Sequence, residues 1–190
     1  MNLLFDLYGV LLKTQSPSAL KALEDATGSG PELWPVYWDL RPDFDAGRVT
    51  AEEYWEQVKQ RLQLEAFDVQ QAIEADYAGW LEPDPEMVDL VTSLGEQHRV
   101  GLLSNIPEGL AERVKERHTW LRDFHSVAMS CDIKVEKPDP EAYRKALELL
   151  GTKPEETHFF DDNEANVAAA EEFGLIAHHF TGVETLKAVL

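Results

Sequence analysis

Polar and apolar residues follow two rhythms along this chain. A short apolar run, Leu3-Leu4-Phe5, reads as a buried strand and stops at Asp6. Ser16-Pro17 then opens a helical repeat, with Ser as N-cap and Pro at the first helical position. Ala19, Leu20, Ala22, Leu23 and Ala26 recur at helical spacing until Gly28. A second, short helix is expected from Pro31 to Asp39. Leu40 to Arg48 reads as irregular, with Pro42 and Gly47 as breakers. Thr50-Ala51-Glu52-Glu53 resembles a capping box opening a helix that ends near Leu62. Another helix is expected from Asp68 to Trp80. No strand signal occurs from Thr14 to Trp80.

Beyond Pro83 the rhythm changes to regular alternation. Asp84-Pro85-Glu86 opens a helix whose Val88, Val91 and Leu94 face a core. Arg99-Val100-Gly101-Leu102-Leu103 is a buried strand ended by Ser104-Asn105, and a helix follows from Pro107 to Arg117. Val127-Ala128-Met129-Ser130 reads as a strand. Asp139-Pro140-Glu141 starts a helix that runs through Leu150 to Gly151. Thr157-His158-Phe159-Phe160 is a strand ended by Asp161-Asp162. A helix from Glu164 to Phe173 stops at Gly174, Leu175 to His179 is a last strand, and a short helix follows. Strands alternating with helices imply parallel βαβ units. The expected fold is α/β: a doubly wound, Rossmann-like sheet between helical layers. Its core is residues 1–13 and 81–190, and an all-helical cap, residues 14–80, is inserted between them.

Four of the five tryptophans, Trp34, Trp38, Trp55 and Trp80, fall in the cap with Tyr37, Phe44, Tyr54 and Phe67. Most of these should form its core, leaving one or two to line a substrate mouth. The polar run Asp39, Arg41, Asp43, Asp45 lies in the irregular stretch, where Arg41 is a candidate substrate contact.

Composition narrows the partners. The 190 residues suit one domain of ordinary size, or one carrying a modest insertion. A formal charge of -19, from 36 acids against 17 bases, argues against nucleic acid and anionic membranes. It leaves room for a small phosphorylated metabolite, because a cation and one Lys reverse the local field. No stretch is long and apolar enough to cross a bilayer, and the start does not read as a secretory signal. The single Cys131 offers no internal disulfide and reads as a small core residue. A cytoplasmic monomer or homodimer is expected.

Candidate chemistry gathers where apolar runs end. In a parallel sheet all strand carboxyl ends share one edge, so Asp6, Ser104-Asn105 and Asp161-Asp162 should converge. Asp6 alone reads equally well as a turn-capping residue; the convergence makes it the leading reactive group. Three crowded carboxylates repel unless protonated or shared by a cation. Oxygen-only donors suit a hard ion, for which Mg²⁺ is the natural choice. Lys137, before Pro138, sits on the same edge and offers an ammonium to offset charge. His178 and His179 are poor ligand candidates, because neighbours on a strand face opposite ways.

Four segments carry a resemblance: Asp6-Leu7-Tyr8-Gly9-Val10, Ser104-Asn105, Lys137-Pro138-Asp139-Pro140 and Phe159-Phe160-Asp161-Asp162-Asn163. In order and spacing they resemble the motifs of the haloacid dehalogenase-like hydrolase superfamily. Phe160 to Ala170 is similar to its small sugar-phosphate phosphatases and the phosphatase domains of epoxide hydrolases. The resemblance implies Asp6 as nucleophile, forming an aspartyl-phosphate. It implies Ser104 and Asn105 holding phosphoryl oxygens, and Lys137 neutralising charge on nucleophile and phosphate. Asp6, Asp161, Asp162 and the Tyr8 carbonyl would bind Mg²⁺. Tyr8 stands where most phosphatases of this superfamily carry an acid–base Asp. The expected activity is Mg²⁺-dependent hydrolysis of a small phosphate monoester, such as a sugar phosphate. Two alternatives stand beside it. One is a 2-haloacid dehalogenase, which also carries Tyr two places after its nucleophile. The other is a catalytically weak module binding a phosphometabolite or a protein partner.

Overall fold

The structure, a computed structural model, describes residues 1–65 and 67–190. Five parallel strands form one sheet: β1 (Asn2–Phe5), β2 (Arg99–Ser104), β3 (Ser126–Met129), β4 (Thr157–Asp161) and β5 (Ile176–His179). Their order is β3-β2-β1-β4-β5, so the first strand lies in the middle. The register pairs Phe5 with Leu102 on one side and with Phe160 on the other. The strand ends that carry Asp6, Ser104 and Asp161 therefore lie side by side.

Between β1 and β2 run α1 (Pro17–Thr27), α2 (Leu33–Asp45), α3 (Ala51–Arg61), α4 (Val69–Ala78) and α5 (Pro85–Leu94). Then come α6 (Glu108–Arg117), α7 (Ser130–Ile133), α8 (Pro140–Leu150), α9 (Glu164–Phe173) and α10 (Val183–Lys187). The helix starts follow local chemistry. Ser16 Oγ accepts from the Ala19 amide, with Pro17 at the first helical position. Thr50 and Glu53 complete the expected capping box of α3. Asn163 caps α9 directly behind the acids of β4.

Two elements depart from the sequence reading. The stretch expected to be irregular, Leu40 to Arg48, is helical through Asp45, with Pro42 inside α2. Proline removes one amide donor, yet tertiary contacts on the inner face outweigh that loss. Tyr37, Arg41 and Phe44 are buried there, and Arg41 pairs with Asp45 one turn on. The strand expected to include Ser130 ends at Met129, because Ser130 begins α7. Its hydroxyl accepts from the Ile106 amide at 2.8 Å and donates to the Asp45 carbonyl. Cys131 is buried beside it, as expected of a small core residue.

Helices α1 to α4 pack on one another around an aromatic cluster. Phe44 stacks on Tyr54 at 4.4 Å, and Tyr37 meets Trp55 at 6.0 Å. Trp55, Tyr37 and Tyr54 are fully buried, but Trp38 is 52% exposed. On the far edge His178 is half-buried, stacked on Phe160 at 4.8 Å. His179 is exposed and bonds the Asp162 carbonyl.

Candidate active site

Asp6 follows the last residue of the central strand. Its amide donates to the Phe160 carbonyl at 2.9 Å, which carries the sheet pairing one residue further. The chain then turns at once: Leu11 and Leu12 amides both return to the Leu7 carbonyl, at 2.8 and 2.7 Å. Gly9 sits in this turn at φ +75°, a left-handed conformation that favours glycine. A Cβ there would lie 2.0 Å from Asp162 Oδ2, so the Asp162 carboxylate rests against the bare Cα of Gly9.

Lys137 is the hub. Its Nζ lies 2.8 Å from Asp6 Oδ1 and 2.6 Å from Asp161 Oδ2, and it is almost wholly buried. Asn105 fixes its backbone: Lys137 N donates to Asn105 Oδ1, and Asn105 Nδ2 donates to the Lys137 carbonyl, both at 2.8 Å. Asp161 is held from several sides. Its Oδ1 accepts from the Asn163 amide at 2.8 Å, and Asn166 Nδ2 reaches both oxygens at 3.2 and 3.1 Å. Asp6 Oδ1 accepts from the Leu7 amide at 2.7 Å in addition to Lys137.

Burial sets the electrostatics. It pushes the Asp6 carboxyl up to about 7, against the pull of Lys137 and with the push of Asp161. Asp162 is raised too, by burial and by Asp161. Burial works against the Lys137 ammonium, but Asp161 and Asp6 outweigh it and hold the group above the usual lysine range. Carboxylate oxygens of Asp6, Asp161 and Asp162 all lie within 4.8 Å of one another. The donor set is oxygen-only and over-supplied with negative charge, which fits a hard divalent cation.

A cavity of about 420 Å³ opens over this group. Asp6, Asn105, Lys137, Asp162 and Asn166 line its floor; Tyr8, Trp38, Arg41 and Trp80 line the other side. The sequence-predicted residues thus meet, with two qualifications. Ser104 is fully buried and its hydroxyl has no partner among the described residues, but it is not part of the cavity wall. Arg41 is on the wall but is not in a loop. Its Nε lies 2.7 Å from Asp45 Oδ1 and its NH1 3.2 Å from Asp76 Oδ2. Tyr8 packs edge-on against Trp80 at 4.8 Å, and its hydroxyl has no partner among the described residues.

Two contributors lie outside the sequence reading, Asn166, which clamps Asp161, and Asp76. Asn105, expected to hold phosphoryl oxygens, lines the cavity, and its amide also pairs with the Lys137 backbone. Asp76 is fully buried and collects Arg41, Tyr37 at 2.8 Å and Trp80 at 3.1 Å. A signal for it existed: Asp76 falls in phase with Ala72, Ile73 and Tyr77 on the buried face of α4.

Fold and site together define a class: a doubly wound α/β protein with an acid-rich, lysine-bridged sheet edge beneath a block of helices. The chain belongs to the haloacid dehalogenase-like hydrolases, whose family model matches residues 1–174. A sesquiterpene phosphatase of Aspergillus oryzae is 28% identical over 94% of this chain and 88% of its own. An (S)-2-haloacid dehalogenase of Burkholderia cepacia is 26% identical, covering 90% of this chain and 78% of its own. A haloacid dehalogenase family enzyme of Bacteroides thetaiotaomicron was solved in complex with magnesium and inorganic phosphate. It superposes with a TM-score of 0.78 at 24% identity, covering 93% of this chain and 92% of the other. Among the described residues, no helix is long and apolar enough to cross a membrane.

Proposed function

We propose that this hydrolase is a Mg²⁺-dependent phosphatase of small phosphate monoesters, acting through an aspartyl-phosphate on Asp6. The observation that carries the reading is the Lys137 ammonium, held 2.8 and 2.6 Å from Asp6 and Asp161 on the floor of the cavity. Lys137 and the Leu7 amide fix Asp6 Oδ1, so Oδ2 is the oxygen left to attack phosphorus. The ester P–O bond breaks, the leaving oxygen takes a proton, and water then releases phosphate from Asp6.

Asp6 and Asp162 are the carboxylates proposed to hold the ion, with the Tyr8 carbonyl. Asp161, whose oxygens already take Lys137, Asn163 and Asn166, borders that site and keeps Lys137 in place. When bound, the ion supplies charge that lets the phosphate dianion approach an ionised Asp6. Lys137 offsets charge on the transferring group from the other side. Asn105 positions Lys137 through its backbone; a phosphate contact through Asn105 would need that pairing to open. Helices α1 to α4 serve as the cap, closing the cavity with Tyr8, Trp38, Arg41 and Trp80. The magnesium and phosphate of the Bacteroides neighbour, and the phosphatase relative, support this reading.

A phosphate-release assay with and without Mg²⁺ tests it. Release should need the cation and vanish in Asp6→Asn. Full activity in excess chelator would sink the phosphatase reading. Halide release from 2-chloropropionate would favour the dehalogenase reading, for which Tyr8 and the Burkholderia relative speak.

A further inference from the structure

We propose that a groove on the outer side of Trp38 binds the apolar remainder of the substrate. The ester cleaved is then the phosphate of an uncharged, largely hydrocarbon alcohol or phenol. This subsite deepens the phosphatase reading and rests on it.

The groove holds about 350 Å³ and is lined by Thr14, Gln15, Leu20, Trp34, Trp38 and Trp80. Among the described residues no charged side chain lines it. It shares Thr14, Trp38 and Trp80 with the cavity above Asp6, so the two spaces meet at a common aromatic wall. Polarity therefore falls along one path. Carboxylates, Lys137 and Asn105 stand at the floor, Tyr8 and Trp80 come next, and an uncharged indole-rich groove lies beyond.

Trp38 is the informative residue. It is 52% exposed on a helix whose Tyr37 and Phe44 are buried and whose Trp34 is partly buried. A half-exposed indole adds little to the fold, but one edge-on to Trp80 at 6.4 Å makes a wall shared by both spaces. The remaining cation of the cavity does not offer a second anion site. Arg41 is already shared between Asp45 and Asp76, both buried. Asp45 and Glu136 also line the cavity, so a leaving group carrying carboxylate or a second phosphate meets like charge. A sugar would face indole faces with two neutral polar groups, the Thr14 hydroxyl and the Gln15 amide, whose nitrogen is engaged by Asp76 at 3.3 Å. An apolar tail matches all of these surroundings, and its burial is worth roughly a threefold to fourfold gain per methylene.

The test is a series of 4-n-alkylphenyl phosphates, from phenyl to 4-octylphenyl. The leaving-group basicity is constant, so chain length is the variable. With Mg²⁺, kcat/KM should climb roughly threefold to fourfold per methylene until the groove is filled. It should exceed the value for glucose 1-phosphate by the middle of the series. In Leu20→Glu, which places a charge in the groove, the ratio of octyl to phenyl ester should fall toward one. The matching 4-alkylbenzylphosphonates should show the same slope in Kd by calorimetry. A flat series with phenyl phosphate still hydrolysed, or a sugar phosphate preferred throughout, overturns the tail subsite alone. No release from any member of the series overturns the phosphatase reading instead, and the phosphonate slope then reports on the groove by itself.

Discussion

Gly9→Ala separates the backbone's needs from those of the acidic group. Gly9 sits at φ +75° with its amide donating to the Leu12 carbonyl at 2.7 Å. A side chain in the left-handed region costs roughly 1–2 kcal/mol. The new methyl group would lie 2.0 Å from Asp162 Oδ2, 2.4 Å from its Cγ and 3.1 Å from its Cβ. Contacts this short cannot be absorbed by a small tilt of the carboxylate, so the Asp162 side chain must change rotamer. Asp162 is exposed and can turn outward, so the fold survives. For a domain of this size each kcal/mol lowers Tm by about 2–4 °C, which gives a fall of about 2–8 °C.

The loss of function should be disproportionate. Asp162 would leave its place beside Asp6, and with it one proposed Mg²⁺ ligand. Outer partners of metal ligands typically contribute 10–100-fold in affinity, so losing a direct oxygen should raise half-activating Mg²⁺ by about 100-fold or more. Thermal melts in chelator and Mg²⁺ titrations of activity measure the two effects. The double variant Gly9→Ala/Asp162→Ala should need no more Mg²⁺ than Asp162→Ala, because the two changes act on the same oxygen. It should also melt higher than Gly9→Ala, since the clash is gone. A Gly9→Ala enzyme with ordinary Mg²⁺ dependence, beside an Asp162→Ala enzyme that has lost it, would refute the reasoning.

Three further outcomes are expected. Asp6→Asn should abolish turnover and, in chelator, gain in Tm over the parent as pH rises from 5 to 8. The Asp6 carboxyl is raised to about 7 from 3.8, so the folded parent binds that proton more tightly and loses stability as pH climbs through this window. A flat difference in Tm between the two proteins would contradict the burial argument. Lys137→Met should leave the Asp6 and Asp161 charges uncompensated, costing about 3–5 kcal/mol at neutral pH and less in acid; chemical denaturation at pH 5 and pH 8 checks both. Tyr8→Phe should leave the relative rates of phenyl and alkyl phosphates unchanged, because burial lifts the phenol far above its ordinary range, with Asp45, Asp76 and Asp6 adding to the shift. A selective loss on alkyl esters would make Tyr8 the proton donor.

The sheet was legible because β1 to β4 are largely buried and read as mainly apolar runs, and because these runs stop at polar residues. That phase alone brought Asp6, Asn105 and Asp161 to one edge. Lys137 was placed by its proline neighbour, but its burial between two carboxylates is a tertiary fact. The hydrogen-bond partners of Asn105 and Asn166 were not legible for a common reason. An amide side chain bonds whatever is near, and nothing local says whether that is a ligand or a backbone. The helical setting of Arg41 was hidden for another reason. Pro42 and the surrounding acids imitate a solvated turn, whereas the buried acid that keeps α2 helical there, Asp76, is 35 residues away.

Charge counting ties the floor of the cavity to the proposed cation. When ionised, Asp6, Asp161 and Asp162 carry three negative charges against the single ammonium of Lys137 within a few ångströms, with Asp6 and Asp161 buried and Asp162 exposed. Burial raises the Asp6 carboxyl, against the pull of Lys137, so the charged form is disfavoured near neutral pH. Attack on phosphorus needs that charged form. A divalent cation would cancel the excess of two and return Asp6 to the ionised form at neutral pH. Only then would a phosphate dianion meet a site without net repulsion. Arg41 cannot substitute, because Asp45 and Asp76 already consume its charge. On the proposed reading, the cation requirement follows from the same burial that makes Asp6 a selective nucleophile. Substituting Lys137 should therefore deepen the dependence on Mg²⁺ and never relieve it.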